Sequence, residues 1–225
     1  MVSFSDQDRQ RIAEAVAAAE RHTDAEIVTI VAPQSDAYHD VGLHYAVLAM
    51  LLVPAGTAVT PVAWIDWWMT LVFGWNASAG LHLLMLLIFA KMIFLFLVVR
   101  YALAYLPWRM ALTPRSTKVR RVRRRASELF RATCLGRTKR KTAVLLYVSL
   151  AERQAEIVVD ETVHANVESS AWGEAMAALV AEVKAGRPGE GMAQAVAGIG
   201  AVLAAHVPAV PGDNPNEIPD GVIEL

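Results

Sequence analysis

Two stretches of the chain are apolar for long enough to cross a bilayer. Leu81 to Tyr105 (LHLLMLLIFAKMIFLFLVVRYALAY) is interrupted by charge only at Lys91 and Arg100, and about 20 predominantly apolar residues suffice for a transmembrane helix. His44 to Val62 (HYAVLAMLLVPAGTAVTPV) holds no Asp, Glu, Lys or Arg; its Pro54, Gly56 and Pro61 are tolerated by helices in lipid. The pattern predicts a transmembrane hairpin over residues 41–106, with helices at 44–62 and 81–105. Between them, Ala63 to Gly80 carries Trp64, Trp67, Trp68 and Trp75, rings that collect where a membrane meets water.

The flanks read differently. Ser5-Asp6-Gln7-Asp8 has the form of a helix N-cap, and Ile12, Val16 and Ala19 recur behind it at helical spacing, predicting a helix from Ser5 to Arg21. Glu26 to Ala32 (EIVTIVA) is rich in β-branched residues and ends at Pro33, predicting a strand. Beyond the hairpin, Thr113-Pro114 opens a helix from Arg115 to Cys134, stopped near Gly136. Its periodicity places Val119, Val122, Ala126, Leu129 and Thr133 on a core face and Arg120, Arg123, Arg124 and Arg131 outside it.

Thr142 to Leu150 (TAVLLYVSL) is apolar without alternation, as in a strand covered on both faces. Ala151-Glu152-Arg153 is short enough for a hairpin turn, so Gln154 to Asp160 becomes a third strand antiparallel to the second. Three helices follow, at Glu161 to Glu168, Ala171 to Lys184 and Gly189 to His206, the last with Met192, Val196, Ile199 and Leu203 as its buried stripe. Gly186-Arg187-Pro188-Gly189 is an interhelix turn. The fold class predicted is α/β: a small mixed sheet flanked by helices and interrupted by a transmembrane hairpin. Residues 1–40 and 107–208 form the two parts of one soluble domain, and 209–225 an extended acidic tail.

Composition and charge refine this outline. Of 225 residues, 55% are hydrophobic and the mean hydropathy is +0.36, an excess that the hairpin accounts for. The net charge of -1 conceals an uneven distribution: basic residues crowd Arg109 to Lys141, whereas the connection between the spans holds Asp66 and no Lys or Arg. The positive-inside rule therefore puts both termini and the soluble domain at the cytoplasmic face of an inner (cytoplasmic) membrane. The N-terminus lacks a basic and apolar leader, so no cleaved signal peptide is expected. The single Cys134 excludes an intrachain disulfide and reads as a small buried hydrophobe.

Four sets of residues are candidates for chemistry. Asp24 and Glu26 flank the start of the first strand, and Asp160 and Glu161 the end of the third; brought together, these carboxylates offer the several oxygens that Ca2+ or Mg2+ requires. Arg153 at the hairpin turn, with Arg140 and Lys141 before the second strand, is a candidate phosphate clamp. No cysteine phosphatase loop, Asp-x-Asp pair or glycine-rich phosphate cradle accompanies it. Arg120, Arg123, Arg124 and Arg131, directly after a membrane helix, suit a surface of anionic headgroups, where each basic residue contributes about 1 kcal/mol. Without a recognition module, nucleic acid is not the expected partner. Lys91 lies within an apolar run and is read as snorkelling outward. His44, His82, His164 and His206 lack metal-ligand spacing.

Thr23 to Ile27 (TDAEI), Arg140 to Arg153 (RKTAVLLYVSLAER), Ile157 to Asp160 (IVVD), Trp172, Gly191 to Val196 (GMAQAV) and Asn216 to Asp220 (NEIPD) together resemble the TPM domain family. The resemblance implies a compact α/β domain, with phosphate-ester hydrolysis and calcium binding among the family's activities. Many members have a cleaved signal and an exported domain followed by an anchor; here the anchor interrupts the domain. The function expected is that of a membrane-anchored accessory or assembly and maintenance factor acting through a membrane-protein partner at the cytoplasmic face. The alternative is a divalent-metal-dependent phosphatase acting on phosphoesters, an acid-phosphatase-like hydrolase. Transport is disfavoured because two spans enclose no pathway except in a homo-oligomer.

Overall fold

A computed structural model describes residues 4–74, 80–138, 140–209 and 218–225. The chain divides into two compact units, residues 1–36 with 114–225, and Ala37–Thr113.

The first unit is built on four strands: β1 (Ile27–Ala32), β2 (Val144–Ser149), β3 (Gln154–Val159) and β4 (Ile223–Glu224), in the order β3-β2-β1-β4. β1 and β2 are parallel, with Ile27 opposite Val144 and Ala32 opposite Ser149, and β3 runs antiparallel to β2. The expected mixed sheet is present. Every residue of β1 and β2 is buried, which their unbroken apolar sequences require, whereas every residue of β3 is half-buried.

Helices cover both faces. On one, α1 (Asp6–Glu20) places Ile12 and Val16 against Ile27, Val31, Leu146 and Val148. Ser5 starts α1 with a reciprocal capping box: the Asp8 amide donates to Ser5 Oγ at 3.1 Å, and the Ser5 amide to Asp8 Oδ2 at 3.2 Å. The same core takes Leu179 of α8 (Gly173–Lys184) and Met192, Val196, Ile199 and Leu203 of α9 (Pro188–His206), the stripe that the sequence predicts. α1 and α9 approach closely because residue 200 is glycine: a Cβ there would lie 2.5 Å from Ala19 Cβ.

The opposite face belongs to α6 (Arg115–Thr133), whose Val122, Ala126 and Phe130, continued by Cys134, pack on Val28, Ile30, Leu145 and Tyr147. One expectation fails: Val119 is 38% exposed, and Phe130 is buried in the stripe. The apolar face follows Val122, Ala126 and Phe130, so Val119 falls beyond the edge of the sheet contact. α7 (Glu161–Asn166) and a single 3-10 turn at Ser169–Trp172 lead from β3 into α8.

The second unit contains α2 (His39–Val59), α3 (Val62–Phe73), α4 (Leu81–Ala102) and α5 (Leu106–Leu112). α2 and α4 have 21 and 22 residues, and 18-residue stretches within them have mean hydropathies of 1.6 and 2.6; both helices are long and apolar enough to cross a membrane. They pack side by side as an antiparallel pair, with Gly42 at the start of α2 against Leu103 just past α4. α2 begins and ends earlier than the expected 44–62, because Pro61 is the N-cap of α3; α4 stops at Ala102 rather than 105. The connection is therefore partly helical, and α3 exposes Trp64, Trp67 and Trp68; Trp75 lies outside the described residues.

The division falls at 36 and 114 rather than at the expected 40 and 107. α5 joins the hairpin because its buried Arg109 contacts His39 Nδ1 at 2.6 Å and donates to Ala104 O at 3.1 Å. The tail, expected to be extended, supplies β4 at the sheet edge beyond β1; residues 210–217 of it lie outside the described residues.

Candidate functional site

Where β1 and β2 begin, the structure gives each of the candidate metal ligands a separate partner. Asp24, nearly buried, is ion-paired with Arg140, and its carbonyl accepts from Thr142 Oγ1 at 2.8 Å. Glu26 accepts the Ile218 amide at 3.3 Å. Asp160 caps α7, its Oδ1 accepting the Glu161 amide at 2.9 Å, while its buried Oδ2 has no hydrogen-bond partner. Glu161 is exposed and meets Lys141 at 3.2 Å. Among the described residues, no three Asp, Glu, His or Cys side chains group as the ligand set of one ion. Asp24 is thus held by Arg140 and Glu161 by Lys141.

A fifth acid, absent from the sequence-based candidates, is strongly perturbed. Glu20, at the end of α1, accepts the Ile27 amide at 2.8 Å and is 9% exposed. Burial, reinforced by Glu26 and Asp220, pushes its carboxyl up to about 8 against the backbone hydrogen bond that favours ionisation. A signal was available: an acid in the last turn of a helix opposes the helix dipole, so its placement needs a local reason. Cys134 is buried as expected, 3.3 Å from Thr133 Oγ1, and burial raises its thiol pKa.

Where β1 and β2 end, a second polar network is closed. Glu152 is buried in the β2–β3 turn, its Oε1 accepting the Ser35 amide at 3.0 Å and its Oε2 accepting from Ser149 Oγ. Ser35 Oγ lies 3.0 Å from Tyr147 Oη, and burial raises the phenol pKa. Arg153, the candidate phosphate clamp, is exposed at φ 50° and donates its amide to Leu150 O at 3.2 Å. Arg140 and Lys141 stand with Asp24 and Glu161 at the other end of the sheet. The three bases are thus not brought together, because a strand runs between the turn and the pair.

The outer side of α6 is basic as predicted: Arg120, Arg123, Arg124 and Arg131 are all exposed. Arg124 meets Glu128 at 2.9 Å, and Arg123 meets Glu156 of β3 at 3.4 Å. Glu156 is held above the usual carboxylate range by burial, with Arg123 opposing. These two residues belong to a groove of about 400 Å3 that runs beside β3, lined also by Ser127, His164, Trp172 and Met176.

Residues 109–202, from α5 into α9, match the family model of the TPM domain. This segment, less than half of the chain, is similar to the TPM domain. The match takes in β2, β3, α6, α7 and α8, whereas Thr23 to Ile27 and Asn216 to Asp220 of the resemblance lie outside it. The NMR structure of the BA42 protein from the psychrophilic bacterium Bizionia argentinensis aligns with a TM-score of 0.56 at 15% identity, covering 100% of this chain and 98% of that one. That likeness concerns the fold. No curated protein matches the chain.

Proposed function

We propose that this TPM-domain protein is a membrane-anchored accessory factor, tethered by the α2–α4 hairpin and acting on a protein partner in the assembly or maintenance of a membrane complex. The observation that carries the reading is the pairing of two surfaces in one chain. α4 buries none of its residues and turns Leu86, Phe89 and Phe94 outward, an apolar surface that water does not tolerate and lipid covers. α6, which follows the hairpin in sequence, exposes Arg120, Arg123, Arg124 and Arg131, suited to anionic headgroups or to an acidic partner. The excess of Lys and Arg on the flanks supports a cytoplasmic domain with both termini inside.

Crosslinking in the native membrane followed by mild solubilisation tests this. The protein is expected to co-purify with one recurrent membrane-protein partner, and recovery of the protein alone at every crosslinker concentration would overturn the reading.

A further inference from the structure

β3 ends the sheet. It has β2 on one side and, among the described residues, no strand on the other. The six-residue register with β2 is continuous, without a bulge to turn the edge away, and the strand contains neither Lys nor Pro. Such an edge presents unpaired amides and carbonyls to any chain that can reach it.

The phase of the ladder says which groups these are. Residues of an antiparallel pair alternate between those that exchange both hydrogen bonds and those that exchange none. Asp160 donates its amide to Ala143 O at 2.9 Å, so Val158, Glu156 and Gln154 bond to β2. Ala155, Ile157 and Val159 therefore turn their amides and carbonyls to the open side. The groove beside that edge has two unlike walls. Arg123 and Ser127 of α6 form a basic one, on the side of Glu156. Trp172 and Met176 form an apolar one, on the side of Ile157 and Val159.

These walls select the occupant. This chain's own tail pairs with β1 at the opposite edge. A second copy joined through antiparallel β3 strands would set two α6 helices side by side on one face, because α6 packs over β3. Each carries Arg120, Arg123, Arg124 and Arg131, and like charges so placed repel. A single extended segment meets neither obstacle. We infer that the open edge of β3 takes up an extended segment of a partner protein as an added strand, with acidic side chains toward α6 alternating with apolar ones toward Trp172 and Met176. The accessory reading enters only in making the occupant part of a partner protein.

The test uses the full chain in detergent micelles, with an acetylated peptide alternating Glu and Val over the length of β3. Residue-resolved hydrogen exchange is expected to slow at Ala155, Ile157 and Val159 and to be unchanged at Glu156 and Val158. Binding should weaken on the order of tenfold or more in Arg123→Glu. It should be lost when the peptide's amides facing β3 are N-methylated, a control that leaves the protein's fold untouched. Unchanged exchange at the three amides, or equal binding of a peptide with its Glu and Val residues in two blocks, overturns the inference. So does protection of those amides without peptide that rises with protein concentration, which would assign the edge to a second copy. Displacement of bound peptide by vesicles rich in phosphatidylglycerol, without protection of the edge, would assign the basic wall to lipid and also overturn it. If the peptide docks while the native protein is recovered alone, the accessory reading fails and the edge assignment stands.

Discussion

Glu20 shows how a single ionisable residue links the fold to pH. Its carboxyl is pushed up to about 8 from an ordinary value of 4.5, so the folded state favours the neutral acid more than the unfolded chain does. The corresponding stability is complete below about 4.5 and is lost as pH rises toward about 8. Thermal denaturation of the solubilised protein is expected to show a midpoint that falls over this window. Glu20→Gln, which keeps the acceptor for the Ile27 amide, should flatten the fall; an unchanged slope would mean that Glu20 is not its source. The residue escapes a reading of sequence because burial and the approach of Glu26 and Asp220 are made by chain folding, not by spacing. Glu152 teaches the same lesson from the other side. Adjacent to Arg153 it looks like part of an exposed turn, yet its oxygens are used within the protein by Ser35 and Ser149.

Between elements, close approach depends on what is missing. Gly200 of α9 meets Ala19 of α1 with no room for a methyl group, since an added Cβ would come 3.2 Å from Ala19 Cα as well as 2.5 Å from its Cβ. Gly200→Ala is therefore expected to cost about 1–3 kcal/mol by overpacking, read from chemical denaturation. Combining it with Ala19→Gly should be less destabilising than the sum of the two single changes, as contacting sites are not additive; strict additivity would show that the helices do not meet there. The buried stripes of α1 and α9 were legible as periodicity. That of α6 was legible only in part, because Val119 continues the pattern by one turn where the sheet does not follow.

At the scale of the whole molecule, the chain combines a sheet domain with two helices fit for lipid. Protease treatment of sealed, cytoplasm-inside vesicles is expected to spare tags at both termini, and treatment of inverted vesicles to remove both. Opposite fates for the two tags would exclude the hairpin topology. The TPM match over residues 109–202 does not reach α1 and β1, although both lie in the same compact unit. The domain is thus completed by segments from the far side of the hairpin in sequence, paired through the parallel contact of β1 with β2.

The sequence by itself determined most of the elements and the plainest of their buried stripes: apolar runs of membrane length, a cap at Ser5, β-branched strands and the stripe of α9 all act over a few turns, where local physics decides. It also determined the antiparallel pairing of β2 with β3, since a turn as short as Ala151 to Arg153 leaves two strands no arrangement but antiparallel. Only the tertiary structure decided which charged groups meet. Asp24 with Arg140 spans 116 positions, and no short-range pattern encodes such a pairing. The same holds for β4 at one edge of the sheet and the open edge of β3 at the other: an edge is a property of strand order, which exists only once the chain has folded.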